Sequence, residues 1–289
     1  MTEAVSIGAI GFLNARPLIY GLEGREGVRL CLGLPGDLAA MLKSGEVDAA
    51  LLSAIEYFRL AAGVGERARF RRVGGETRAE PTHFVALPVA AIGSRGRVGS
   101  VRLFGYKEPR ELRRVLLDPA SRTSNALAQI LVMRQLGVRP HFVMPEEIGS
   151  STARRPDAEL VIGDRGLVAR HPEALWELDL GLEWQRLTRQ PFVYAFWAAR
   201  SDAPIARLIA LLAEARDRGL EAREALAAEA PAKHGIPADV ALRYLTEQIR
   251  YTFGPKEYAG LAAFHRMAAE EGLAPEGAAL RLPPGMAIR

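Results

Sequence analysis

Three short, continuously apolar runs within the first sixty residues constrain the fold of this chain more than any other feature. "AVSIGAI", "VRLCLGL" and "VDAALLS" show no polar alternation and are too short for helices, so each reads as a strand buried on both faces. Segments of helical character stand between them. "NARPLIYGL" turns into a short helix that tolerates Pro17 in its first turn, Asp37 can cap the helix of "PGDLAAMLKSGE" with Gly45 at its end, and "AIEYFRLAAG" follows the third run. Strands that need cover on both faces and alternate with helices predict a parallel α/β sheet.

The middle of the chain repeats this grammar. "SVRLFGY", "RVLLD", "HFVMP" and "AELVIGD" read as strands; "EPRELR", "SNALAQILVMRQLG" and "RGLVARHP" read as helical segments, the last stopped by Pro172. "GEVDAALLSAIEYFR" and "RPDAELVIGDRGLVAR" share one pattern: Asp-Ala, an apolar strand, a small polar end, a helix. This predicts two similar α/β lobes, each built on a mainly parallel sheet, rather than one long sheet. After the β-rich "PFVYAFWAAR" the chain becomes helical. Apolar residues at Ile205, Leu208, Ile209 and Leu212, at Tyr244, Leu245 and Ile249, and at Leu261, Phe264 and Met267 mark faces that pack as core over the first lobe. The expected division is 1–92 with 193–289 in one lobe and 93–192 in the other.

In open α/β sheets, ligands bind where strands end and helices begin. Four such exits carry small polar residues: Asn14, Ser53, the run Ser121, Arg122, Thr123 and Ser124, and Asp164. Two exits fall in each lobe, so they predict a cleft lined from both sides. The Ser121–Ser124 run is the sharpest of them. An ordinary N-cap needs one hydroxyl, whereas this helix start offers three, together with unpaired N–H groups, the positive end of the helix dipole and the Arg122 guanidinium; that combination suits an anion. "GSRGRVGS", Gly93 to Ser100, lacks the strand–GxGxxG–helix context of a dinucleotide site and reads as a turn or hinge, with Ser100 able to face the cleft. Glu56 and Tyr57 could reach the cleft, although a helix start accommodates Glu for electrostatic reasons alone.

Several function classes are disfavoured. The five histidines lack metal-ligand spacing, and Cys31 is the single cysteine, so neither a thiolate metal cluster nor a disulfide framework is expected. No exit supplies an obvious nucleophile, histidine and acid together. With 38 Lys and Arg against 34 Asp and Glu, a net charge of +4 and no polybasic block, no nucleic-acid partner is expected. The apolar N-terminal stretch has no basic region ahead of it and is interrupted by Asn14 and Arg16. It resembles neither a secretory signal nor a membrane span, so a cytoplasmic location and no membrane partner are expected.

Taken in order, "IGFLNARPLIYGL", "GEVDAALLSAIEYF", "DPASRTSNAL", "AELVIGD" and "LTRQPFVYAFWAAR" resemble the chorismate dehydratase family of the futalosine route to menaquinone, strongly from Val5 to Arg200 and loosely over the helical tail. The resemblance implies a type II periplasmic-binding-protein-like architecture of two lobes joined by crossing strands. It also implies dehydration of chorismate, a small dianion, to 3-[(1-carboxyvinyl)oxy]benzoate without a cofactor. On that basis the Ser121–Ser124 run binds a carboxylate, Ser53 and Asp164 line the cleft, Ser100 holds the substrate from the hinge side, and Asn14 hydrogen-bonds the reacting centre. With no histidine evidently placed as base, the substrate's own enolpyruvyl carboxylate is a candidate. Arg16 departs from the small or apolar residue usual in the family and is expected to point to solvent. Two alternatives stand beside this one: a naphthoate-forming synthase of the same route acting on cyclic dehypoxanthine futalosine, and a non-catalytic solute-binding module. "FLNARP" and the Ser121–Ser124 run favour the dehydratase; the lack of a helix-turn-helix segment ahead of the first strand weighs against a regulator's binding module.

Overall fold

The computed structural model describes residues 4–63, 68–73, 76–81, 83–148 and 155–287. The three apolar runs form β1 (Val5–Ala9), β2 (Val28–Leu32) and β3 (Ala49–Ser53), with β1 central and parallel to both others. A separate hairpin, β4 (Ala68–Val73) and β5 (Glu76–Pro81), precedes the long β6 (Phe84–Ser94). The chain then builds a second sheet from β7 (Val101–Gly105), β8 (Arg114–Leu116), β9 (His141–Val143), β10 (Ala158–Ile162) and β11 (Trp176–Asp179). It returns to the first sheet through β12 (Phe192–Arg200) and later adds β13 (Ile249–Arg250). The strand orders are β13-β6-β12-β3-β1-β2 and β11-β7-β10-β8-β9.

Both sheets are mixed, where the apolar runs predicted mainly parallel ones. β12 runs antiparallel to β3 and β6, and β7 runs antiparallel to β10 and β11. The reason is the path of the chain: β6 leaves the first sheet and β12 re-enters it alongside, with Ser94 paired to Phe192, so the two crossings lie side by side. A buried strand reads as a continuous apolar run in either direction.

β6 itself is not legible as a strand because Pro88 interrupts it, and proline cannot donate to a ladder. The structure accommodates it in an irregularity: Phe196 pairs with Ala91 and Ala198 with Ala86, so several β6 residues oppose one on β12. Asp37 is not a cap either. The helix starts at Pro35 with Leu34 at its N-cap and places Asp37 in the first turn, where its charge meets the positive end of the dipole. Gly45 ends this helix at φ +83°, as expected. The helix over Gly163–Val168 stops before Pro172, and the stretch Leu180–Thr188 is a helix capped by Asp179.

The helix Ile205–Glu221 packs on β6 and on the 3₁₀ segment Leu13–Ile19, and the helix Pro255–Glu270 packs on β12. Leu208, Leu212, Leu245, Leu261 and Phe264 are buried, as their spacing predicts. The stripe at Tyr244–Ile249 is not an ordinary helix: Tyr244–Gln248 is a π-turn leading into β13. Among the described residues no helix is long and apolar enough to cross a membrane.

Candidate functional site

A cavity opens between the two sheets at the carboxyl ends of β1, β3, β8 and β10. Asn14 and Ser53 enter from the first sheet, Ser121 and Ser124 from the second, and Ser100 from the first crossing; most of the remaining lining is apolar, including Ile10, Phe12, Leu51 and Ile162.

The start of the helix Arg122–Gln135 explains why its polar residues divide. Ser121 is the N-cap: its hydroxyl accepts from the Ser124 N–H at 3.1 Å and donates to Ser124 Oγ at 3.0 Å, leaving the Ser124 proton for another acceptor. Positions three apart share a helix face, so Ser121 and Ser124 look into the cavity together while Arg122 and Thr123 are turned away. Of the four residues expected to contact substrate, Arg122 and Thr123 do not line the cavity. The Arg122 guanidinium is half exposed and lies 3.3 Å from Glu56, which also pairs with Arg59. Glu56 is thus held in an ion pair and Tyr57 in the core, where its hydroxyl donates to the Phe84 carbonyl; neither lines the cavity.

Thr123 does different work. It is fully buried and accepts from the Ile55 N–H at 3.1 Å, so it caps the helix Ala54–Ala62 from the opposite wall of the cleft. Ser53, the sequence-local cap of that helix, makes no capping bond. Its hydroxyl is buried, faces the cavity and has no hydrogen-bond partner among the described residues. Replacing Thr123 with valine strands the Ile55 N–H and is expected to cost about 1–2 kcal/mol, a loss a denaturant titration would read as a lowered midpoint with unchanged slope.

Asp164 also differs from its expected role. Its carboxylate accepts from the Leu13 N–H at 3.0 Å and lies 2.7 Å from His234 Nδ1, so it anchors the segment that carries Asn14; its neighbour Gly163 lines the cavity instead. Arg16, on the same segment, is half-buried and not part of the lining. Asn14 donates from Nδ2 to the Tyr244 hydroxyl at 3.1 Å, and its Oδ1 is buried with no partner among the described residues. Tyr244 in turn donates to Ser100 Oγ at 2.8 Å. The crossing that carries Ser100 is fixed by Asp179, whose carboxylate accepts from the Val98 and Gly99 N–H groups.

The electrostatics of the site are unusual. Among the described residues Tyr194 is the one ionisable side chain in the lining, and burial pushes its phenol well above its ordinary range. Pro35, Ser53 and Ser121, at the starts of the helices Pro35–Ser44, Ala54–Ala62 and Arg122–Gln135, all line the cavity, so three helix N-termini, each carrying partial positive charge, border it. Among the described residues no group of three or more His, Cys, Asp and Glu is placed to hold a metal ion. Tyr194 and Tyr244 escape sequence reading because each sits in an apolar stretch whose default role is core; only their hydroxyls, which need partners when buried, set them apart.

Two mixed α/β sheets, crossed twice by the chain with a cavity between them, place the protein in the periplasmic-binding-protein fold. The periplasmic aliphatic sulphonate binding protein SsuA from Escherichia coli superposes with a TM-score of 0.61 at 17% identity, covering 96% of each chain. Protein AF1704 from Archaeoglobus fulgidus gives 0.68 at 14% identity over 94% of this chain and 99% of its own. Within that fold the chain belongs to the menaquinone biosynthesis family, whose model matches residues 5–64 and 79–270. A chorismate dehydratase from Thermus thermophilus is 30% identical over 275 residues, 89% of this chain and 93% of that protein.

Proposed function

We propose that this protein is an enzyme, a chorismate dehydratase that forms 3-[(1-carboxyvinyl)oxy]benzoate and water. The observation that carries the reading is the cavity itself. It presents the start of the helix Arg122–Gln135, where Ser121 is the cap and the Ser124 hydroxyl keeps a proton to give, an amide oxygen at Asn14 with no partner among the described residues, and no carboxylate, histidine or lysine among the described lining residues. Family membership and the Thermus relative agree with it.

The reaction asks little of a protein base. Loss of the C3 proton and the C4 hydroxyl makes the ring aromatic, so the elimination runs downhill once the groups are held in line. In our reading one substrate carboxylate sits at Ser121 and Ser124 on the N-terminus of the helix Arg122–Gln135. The enolpyruvyl carboxylate takes the C3 proton, and the C–O electrons leave with the hydroxyl, which takes up that proton to depart as water. Ser100 and Ser53 offer hydroxyl donors around the ring, and Asn14 contacts the reacting centre. Residues 1–92 with 193–289 form one lobe and 93–192 the other; closure of the lobes keeps bulk water from the dianion.

Incubation with chorismate under metal-free conditions, followed by ultraviolet absorption and mass analysis, is expected to give the aromatic enol ether. Binding of chorismate without product would instead identify a solute-binding module, and turnover of cyclic dehypoxanthine futalosine in its place would identify the synthase. The double variant Ser121→Ala/Ser124→Ala is expected to raise KM for chorismate about 10- to 100-fold, corresponding to the loss of hydrogen bonds to a charged group at roughly 1.5–3 kcal/mol. An unchanged KM would remove the carboxylate from this helix start.

A further inference from the structure

Tyr244 does not line the cavity, yet its hydroxyl holds two of the polar groups that do. It is 1% exposed and is turned inward by the π-turn Tyr244–Gln248, a local geometry that recurs at functional sites. The same turn grips the first crossing: Gln248 Oε1 lies where a β-carbon on Gly99 would come within 2.5 Å, and Gly99 has φ +75°. The C-terminal turn, the crossing and the Asn14 segment therefore meet at one phenol.

The direction of each bond follows from the amide atom that faces the phenol: Asn14 Nδ2 can only donate, so the phenol oxygen accepts and its own proton is left for Ser100 Oγ. Burial pushes the Tyr244 phenol well above its ordinary range, so it stays neutral and owns a single proton. That proton goes to Ser100 Oγ, and the phenol oxygen receives a proton of the Asn14 amide. Two things are thereby settled at the cavity wall. Asn14 turns its carbonyl oxygen, not its NH₂, toward the ligand, and Ser100, whose oxygen already accepts, keeps its own proton to give. An asparagine amide is nearly symmetric in shape, so only its partners decide which end faces a substrate.

We propose that Tyr244 is a positioning residue that sets the polarity of the Asn14–Ser100 pair, so that the substrate meets one fixed acceptor and one fixed donor. For its kinetic consequences the proposal rests on the dehydratase reading; for its structural content it does not. Without the phenol, the amide can present either end and the Ser100 hydroxyl is free to rotate, while the carboxylate cradle at Ser121 and Ser124 is untouched.

The test is a double-mutant cycle with a spectroscopic arm. Tyr244→Phe keeps the ring that fills the core and is expected to lower kcat for chorismate about 10- to 100-fold, the scale of a misplaced reacting group, with KM changed less than about threefold. In an Asn14→Ala background the same change is expected to cost less than about twofold, because the residue through which Tyr244 acts is gone. Losses that multiply in the double variant would overturn the proposal and leave Tyr244 as packing alone. Independently of turnover, the Asn14 side-chain NH₂ signals in nitrogen-15 spectra are expected to show one slowly exchanging, shifted proton in the native protein and to lose that distinction in Tyr244→Phe. Two equivalent, fast-exchanging protons in the native protein would overturn the proposal too, and this measurement stands if the variant fails to fold. A native protein inert toward chorismate would defeat the dehydratase reading while the amide spectra still decide the role of Tyr244.

Discussion

Replacing Asn14 with alanine is expected to lower kcat/KM for chorismate about 100- to 1,000-fold, the scale seen when one preorganised hydrogen-bonding group is removed from a reacting centre. Most of that loss should fall on kcat. In the proposed reading substrate charge is held at the helix start of Ser121 and Ser124, whereas Asn14 offers a single uncharged contact, through an oxygen that is buried and unpartnered among the described residues. The aspartate variant sharpens the test. Asn14→Asp keeps the size of the side chain but gives up the NH₂ that Tyr244 accepts from and brings a negative charge beside a dianion. It is therefore expected to be as poor as alanine with a higher KM. Steady-state rates of both variants with chorismate, alongside an unfolding curve to show that the fold is intact, would check this; full turnover by Asn14→Asp would take Asn14 out of the reacting centre.

The second large effect concerns stability. In an exposed helix interior, exchanging glycine for alanine gains up to about 1 kcal/mol from backbone entropy. Gly219→Ala is expected to do the reverse and destabilise the protein by about 2–3 kcal/mol. A β-carbon at Gly219 would lie 1.9 Å from the Pro17 carbonyl oxygen, so the helix Ile205–Glu221 would have to move off the 3₁₀ segment Leu13–Ile19 on which it packs. Backbone cannot step aside as a flexible side chain can, which places the change among overpacking substitutions. A thermal melt should show Tm lowered by roughly 3–5 °C. Activity should fall further than the folded fraction does, because the displaced segment carries Asn14. An unchanged or raised Tm would mean that the two elements sit farther apart than this packing requires.

Much of this molecule was legible in its residues, and the parts that were not share a cause. The alternation of apolar runs with helical segments, the Ser121 cap, Gly45 as a helix stop and the crossing at Gly93–Ser100 are local facts and could be read locally. Strand direction is not local: β7 and β12 look like β1 and β3, and only their partners make them antiparallel. Pro88 hid β6 because a proline in a strand is tolerated only where the ladder already departs from regularity. Within the Ser121–Ser124 run, composition suggested an anion site, and helix periodicity decides which of its residues line the cavity; the three-residue spacing of Ser121 and Ser124 was the available signal. Thr123 and Asp164 were drawn away by backbone N–H groups at Ile55 and Leu13, segments far off in sequence whose needs no short motif records. Tyr244 was counted as core, and its ring is; the hydroxyl alone carries its second role.

The convergence of three helix starts on one cavity bears on how such a site can change over time. Recognition by a guanidinium is lost with a single codon, but recognition by main-chain N–H groups survives nearly any substitution that leaves the helix beginning at the same residue. If the cavity holds the anion proposed above, the side chains around the rim are free to vary and reshape the space for a different one, while the capacity to hold negative charge passes on unaltered. Insertions and deletions near Pro35, Ser53 and Ser121, which shift where a helix begins, are the changes such a lineage cannot absorb.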